Sequence, residues 1–307
     1  MTQTTENIIY FAIQNDCEAT QHAVNDPALG ERASRGFGEI MLDNDAVGTF
    51  YVIPTDLEAH PELYRQLENE GHEIALHIHP ADLGYQEFLG VYGGDEQRQI
   101  VGEATERFAQ VMGRRPDTIC QGYASGNDHT FPAMAAEGFR QGMLTIPTRI
   151  LPECASVWAG APLDIHYTNA YNRVLPGTLD LVNIPFTIDP DSRMWGGKHP
   201  QDLRIELVDA KNQWYTIAKA VDRQIADQAP VKYLAGGTHN VFDYSDPRDF
   251  RRETLIKVIK HAQSIIEAKG YRYQAATHKQ LADIYRQACP LAQAKTVELQ
   301  LDTRGRG

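Results

Sequence analysis

Two histidines spaced one residue apart, His77 and His79, close a short apolar run, Ile74-Ala75-Leu76, inside the stretch GHEIALHIHPAD. In an extended strand side chains two apart point to the same face, so the two imidazoles would project together. Pro80 has no backbone donor and would stop the strand directly after them. Sites in parallel α/β folds gather at the carboxyl ends of strands, and paired imidazoles suit a borderline cation such as zinc. Alone, an H-x-H pair could equally be one core and one surface histidine. Two other strand ends bear on the choice. The apolar run 8–13 leads into Asp16-Cys17-Glu18, in which the two carboxylates again share a face. The run 231–235 delivers Gly236-Gly237-Thr238 and then His239. One carboxylate with two imidazoles is a three-ligand set that leaves a position open for water. The other carboxylate could then accept a proton, and an imidazole across the site could donate one. Such parts fit metal-assisted hydrolysis of an amide or ester.

The elements that must hold these side chains alternate along the chain. Residues 28–43 have helical spacing, with Leu29, Ala33, Phe37, Ile40 and Met41 on one side, and 47–53 is an apolar strand stopped by Pro54. His60-Pro61 opens a helix that ends at Gly71, before the strand bearing His77 and His79. A long amphipathic helix over 95–112 ends at Gly113 and is followed by a short strand, 118–120. The polar loop 121–129, with Tyr123 and Asn127, precedes a short helix over 131–137. The segment 143–200 contains seven prolines, has one clear strand at 181–186, and carries Arg173, Arg193 and Trp195 on long polar loops. Loops of that length in a compact domain are more often functional than idle. Helices over 214–227 and 254–269 flank the strand at 231–235; a last strand at 271–275 and a short helix near 281–285 follow. Residues beyond 286 read as a tail, with alternation at 297–301 like that of an edge strand. Apolar strands alternating with helices predict a parallel sheet with crossover helices.

Composition narrows the classes. The 307 residues carry 41 acidic against 29 basic side chains, a formal net charge of −12, which argues against a nucleic-acid partner. The four cysteines are scattered without a C-x-x-C, so neither a zinc knuckle nor a disulfide framework is expected. There is no signal-like amino terminus and no apolar stretch near the ~18 residues of a membrane span. The expectation is a soluble, cytoplasmic protein with reduced thiols.

Taken in order, the strand ending in Asp16-Cys17-Glu18, then Thr49-Phe50-Tyr51-Val52, Gly71-His72-Glu73-Ile74-Ala75-Leu76-His77, Arg115-Pro116 with the Gln121-Gly122-Tyr123 loop, Glu137-Gly138-Phe139 and His239 form a recognisable series. The series resembles the polysaccharide deacetylase superfamily, the carbohydrate esterases that share the chitooligosaccharide-deacetylase homology region. The resemblance covers residues 7–286. It implies an α/β fold, an irregular (β/α) barrel of about seven parallel strands, with 143–200 as a long loop insertion and 287–307 as a carboxyl-terminal tail. It also implies metal-dependent removal of an acyl group from an amine. By motif position Glu18 resembles the acidic metal ligand, His77 the first metal histidine, Asp16 the catalytic base and His239 the catalytic acid. The chain departs from the pattern at three points. The second metal histidine belongs four residues after the first, where this chain has Ala81, so strand geometry draws His79 into the ligand set. Glu18 replaces an aspartate and stands two residues after Asp16 rather than beside it. The Arg-x-Pro-Tyr motif falls on Cys120-Gln121-Gly122-Tyr123, which removes the arginine that orients the base.

Arg173 or Arg193 from the long loops is expected to replace that arginine, with Arg193 favoured. The expected substrate-binding residues are Tyr123, Asn127, Arg173, Arg193 and Trp195. The expected cofactor is a divalent metal, zinc first, with cobalt, nickel or manganese as substitutes. The leading expectation is a hydrolase of a non-peptide C–N amide bond, acting on an N-acyl sugar or related small amide. Two alternatives stand beside it: a cyclic amide or ureide hydrolase resembling the bacterial allantoinase branch, and a non-catalytic binding protein on a decayed deacetylase fold. The partner expected is a small-molecule or oligosaccharide substrate, with neither nucleic acid nor membrane, and homo-oligomerisation is left open.

Overall fold

The computed structural model describes residues 7–295. Its first half alternates regularly: β1 (Ile8–Cys17), α1 (Pro27–Asp43), β2 (Gly48–Val52), α2 (Pro54–Ala59), α3 (Pro61–Asn69), β3 (Glu73–Ile78), α4 (Gly94–Met112), β4 (Ile119–Gln121) and α5 (Thr130–Ala136). Seven short strands follow: β5 (Gln141–Gly142), β6 (Ile150–Leu151), β7 (Ser156–Val157), β8 (His166–Thr168), β9 (Leu179–Asn183), β10 (Ile188–Met194) and β11 (His199–Asp202). The chain then returns to long elements: α6 (Ala210–Ala226), β12 (Lys232–His239), α7 (Phe250–Ala268), β13 (Arg272–Ala275) and α8 (His278–Ala288).

Six strands make one parallel sheet in the order β12-β1-β2-β3-β4, with β13 beside the amino-terminal half of β1. Beyond β4, Thr118 bridges Gln141 of β5, and Gln141 pairs in parallel with Val182 of β9. Farther on, the Thr187 N–H donates to the Ala235 carbonyl, and Arg204 bridges Gly237 of β12. Backbone pairing therefore runs from β4 through the irregular segment and back to β12, the barrel-like arrangement expected. Gly236 permits that last approach, because a Cβ there would run into the Leu203 carbonyl.

Burial explains the strands. Every residue of β1 except Asp16 is buried, with helices on one side and the barrel interior on the other. Phe37 of α1 packs edge-on to both Phe50 and Tyr244, anchoring that helix to the sheet. Helix starts follow local chemistry: the Asp26 side chain accepts from Leu29 N–H with Pro27 at the first position, and Thr277 and Gln280 form a capping box at α8.

Several boundaries differ from the sequence reading, each for a physical reason. β1 continues four residues past its apolar run because Gln14, Asn15, Asp16 and Cys17 still pair with β2, and all but Cys17 also pair with β12. Pro54 ends β2 and also opens α2, a helix that the reading lacked. α8 runs to Ala288, taking in the first two residues of the expected tail, and the alternation at 297–301 lies outside the described residues. Among the described residues no helix is long and apolar enough to cross a membrane.

Candidate active site

Parallel register brings the reactive side chains together. Asp16 lies opposite His239 across β1 and β12, and His77 lies opposite Cys120 across β3 and β4. The ends of β1 and β12 are stitched by Asn240, whose side-chain oxygen accepts from the Glu18 and Ala19 N–H groups at 2.8 and 3.0 Å. The Asn240 N–H in turn donates to the Asp16 carbonyl. Glu18, just past the end of β1, is thereby fixed in direction.

Glu18, His77 and His79 converge on one point. The Glu18 Oε2 atom is 2.8 Å from His79 Nε2 and 3.5 Å from His77 Nε2, and the two Nε2 atoms are 3.2 Å apart. Ligands held about 2.0–2.1 Å from a tetrahedral zinc lie roughly 3.3 Å from one another, so the spacing fits such a cation. The far side of each ring is also tied. His77 Nδ1–H donates to the Cys120 carbonyl and His79 Nδ1–H donates to Glu87, each at 3.1 Å. That arrangement turns both Nε2 atoms inward, as in metal-binding histidines. Gly122 makes room for the pair, since a Cβ there would fall inside the His79 ring. Burial disfavours a charged His79, but Glu18 and Glu87 override it and raise its pKa to about 10. Burial likewise opposes ionisation of Glu18, yet the two imidazoles hold its carboxyl well below the ordinary range. The protonated His79 thus balances the carboxylates of Glu18 and Glu87.

Beside this cluster lies a second one with proton-transfer geometry. Gln14, two residues before Asp16 and on the same face, donates from Nε2 to Asp16 Oδ1 at 2.6 Å. His239 Nε2 is 3.9 Å from Asp16 Oδ2, and its Nδ1–H donates to Glu206 at 2.8 Å. Burial raises the Asp16 carboxyl above its ordinary value although His77 and His239 oppose the rise. Burial would lower the His239 pKa, but Glu206 outweighs it and holds the imidazole up at about 9. The Asp16 carboxyl and the His239 imidazole therefore differ in environment as well as in type. Cys120, where the motif arginine would fall, keeps its proton, because burial and the nearby Asp16 push its pKa well up.

After His77 and His239, the arginine whose charge acts on Asp16 is Arg204, and neither expected candidate does so. Arg204 lies just beyond β11, where it lines the cavity and pairs with Asp202 at 3.3 Å. Arg193 turns away to donate to the Thr148 and Gly197 carbonyls and the Thr148 hydroxyl, contacts that fasten one loop to another. Arg173 pairs with Asp128 at 3.1 Å and lies over Trp158. Asn127 spends its amide on the Gly90 and Tyr92 carbonyls and the Gln97 amide, so it holds loops rather than facing the cavity. Tyr123 and Trp195 do line the cavity, together with Asp16, Glu18, His77, His79 and His239.

Sequence reasoning passed over Gln14, Glu87, Arg149, Arg204 and Glu206. For three of them the signal was the same two-residue alternation. Gln14 precedes Asp16 by two, and Asp202-Leu203-Arg204-Ile205-Glu206 alternates charged with apolar side chains. Glu87 and Arg149 lie on irregular backbone and gave no such sign.

Comparison with known proteins bears on the fold. Residues 27–142 match the family model described as polysaccharide deacetylase. No curated protein sequence matches the chain. Among solved structures, a Mycobacterium smegmatis protein assigned to the polysaccharide deacetylases superposes with a TM-score of 0.63 at 17% identity, covering 96% of this chain and 95% of that one. A Pseudomonas aeruginosa PAO1 protein with the same assignment gives 0.60 at 16% identity, over 91% of each chain. The PuuE allantoinase gives 0.60 at 16% identity, over 94% of this chain and 93% of that one. At such identities the likeness is one of fold. Over residues 27–142 the chain is similar to the polysaccharide deacetylase family, and as a whole it shares with these structures an α/β fold with a parallel, barrel-like sheet.

Proposed function

We propose that this protein is a metal-dependent hydrolase of a non-peptide C–N bond in a small amide, such as an N-acyl sugar. The observation that carries the reading is the convergence of Glu18 Oε2, His77 Nε2 and His79 Nε2 next to an oriented carboxylate and a charged imidazole. A divalent cation held by those three residues would polarise the amide carbonyl and lower the pKa of water. Asp16, held by Gln14, takes the proton from the attacking water. His239, kept protonated by Glu206, gives a proton to the departing nitrogen. Arg204 offsets the charge of Asp16, and Tyr123 and Trp195 wall the substrate.

The cavity size favours a small substrate over a polymer chain. Its volume is about 200 Å³, below the usual range of ligand pockets, roughly 300–1,000 Å³. The same volume suits a compact cyclic ureide, which supports hydrolysis of a cyclic amide as a second reading. Retention of Asp16, Glu18, His77 and His239 weighs against a binding protein on a decayed fold.

The test combines metal analysis with a panel of N-acyl sugars, simple amides and cyclic ureides. Stoichiometric metal with chelator-sensitive amide cleavage is the expected result. In Asp16→Asn the metal should stay while turnover falls by about 10²–10⁴, the usual contribution of a positioned base. Loss of metal together with activity would make Asp16 a ligand, and cyclic ureide cleavage by metal-free protein would favour the second reading.

A further inference from the structure

Two arginines line the cavity, and only one is neutralised. Arg204 has Asp202 and Glu206 beside it at 3.3 and 4.0 Å. Arg149 is 4% exposed, yet among the described residues no carboxylate oxygen lies within 4.0 Å of its guanidinium. One Nη1–H donates to the Tyr123 carbonyl at 2.8 Å, while the buried Nε–H has no partner. A guanidinium carries five N–H donors, so most of its capacity is unused. Burying an unpaired charge costs several kcal/mol per ion unless something compensates it. Burial and the neighbouring Arg204 lower the Arg149 pKa to about 10, with Asp202 and Glu153 opposing from a distance, so the side chain is still a cation at neutral pH.

We infer that Arg149 forms a subsite for a carboxylate borne by the substrate, so that the amide cleaved belongs to an N-acyl compound carrying a single negative charge. The planar donor fork matches a carboxylate edge in a way that ammonium does not. A single negative charge balances one unpaired guanidinium. A dianion would leave surplus negative charge in a small cavity that already holds Asp16 and Glu18. Met143, Ile146 and Phe186 supply apolar wall in the same cavity, so the charge of the substrate is recognised at one point while the remainder packs against carbon. The inference rests on the hydrolase reading for the bond that is cleaved, but not for binding.

The experiment uses the full chain and matched pairs: N-acetyl ω-amino acids of increasing chain length and their carboxamides. Calorimetry reads binding, and amine release is followed separately. At the best chain length the acid should bind about ten- to a hundred-fold tighter than its carboxamide, as expected for a hydrogen-bonded charged group. Arg149→Met should abolish that preference and Arg149→Lys should retain only part of it. Equal binding of acid and carboxamide by the unaltered protein overturns the subsite whether or not the variants fold. So does an absence of acid binding at every chain length, or a preference that survives in Arg149→Met. Acid-selective binding without amine release would sink the hydrolase reading and leave the subsite standing. Amine release without acid preference would do the reverse.

Discussion

Replacing Glu206 by Gln isolates the charge that keeps His239 protonated. The amide oxygen of Gln can still accept from His239 Nδ1–H, so ring orientation is retained while the negative charge is lost. In the folded protein the His239 pKa is raised from 6.5 to about 9, with burial opposing and Glu206, Glu18 and Asp16 raising it. That rise corresponds to about 3 kcal/mol of preference for the imidazolium. Because the folded value lies above the unfolded one, this stabilisation is fully present below pH 6.5 and is lost as pH rises through about 9. In Glu206→Gln the pKa should fall toward 6.5 or below, since burial remains and its main counterweight is gone. At pH 8 the protonated fraction then drops from about nine-tenths to about three-hundredths, roughly thirty-fold, whereas at pH 6 it falls by less than half. An NMR titration of the His239 ring in metal-free protein reads the pKa directly. In the loaded enzyme the alkaline limb of kcat should move down, with a much larger loss at pH 8 than at pH 6. A ring that titrates near 6.5 in the unaltered protein, or at the same pH in both proteins, would refute the reasoning.

Two further substitutions probe the remaining parts. Gly122→Ala puts a methyl into the His79 ring. Metal titration should show affinity weakened by about ten- to a hundred-fold, the range for disturbed support of a metal ligand, and unchanged affinity would mean that His79 is not held against Gly122. Arg193→Lys should leave the pH–rate profile where it is, because the Arg193 donors face Thr148 and Gly197 rather than Asp16. A shifted acidic limb would return that arginine to the site.

How much of this was legible in the sequence depends on the backbone beneath each residue. The pairs Asp16 with Glu18 and His77 with His79 could be read from spacing because both follow strands buried on two faces, where alternation has one meaning. His239 was legible for the same reason. The resemblance added the family and the barrel. Arg173 and Arg193 could not be placed, because on irregular loops no periodicity says which way a side chain points. Their own loops satisfy them, through Asp128 for one and two carbonyls for the other. Glu87 and Arg149 escaped for the same cause. Arg204 and Glu206 are a different case: their alternation with Leu203 and Ile205 was visible, but only the pairing with β12 at Gly237 shows that this segment runs beside β12, the strand that pairs with Asp16.

That placement brings a guanidinium to the cavity although position 120 is a cysteine. Cys120 on β4 and Arg204 near β12 line the same cavity as Asp16, and of the two only Arg204 is charged. A neutral thiol at Cys120 leaves orientation of Asp16 to the Gln14 amide, a neutral donor that sharpens direction without adding charge. Charge comes from Arg204, which is shared among Asp16, Asp202 and Glu206 and therefore also bears on His239 through Glu206. A single guanidinium thus bears on both Asp16 and, through Glu206, His239. The consequence is that Arg204→Gln should disturb both limbs of a pH–rate profile. The Asp16 limb rises as its carboxylate loses a counter-charge, and the His239 limb rises as Glu206 turns wholly to the imidazole. Movement of the acidic limb alone would mean that Arg204 serves Asp16 only and that the two proton-transfer pairs work independently.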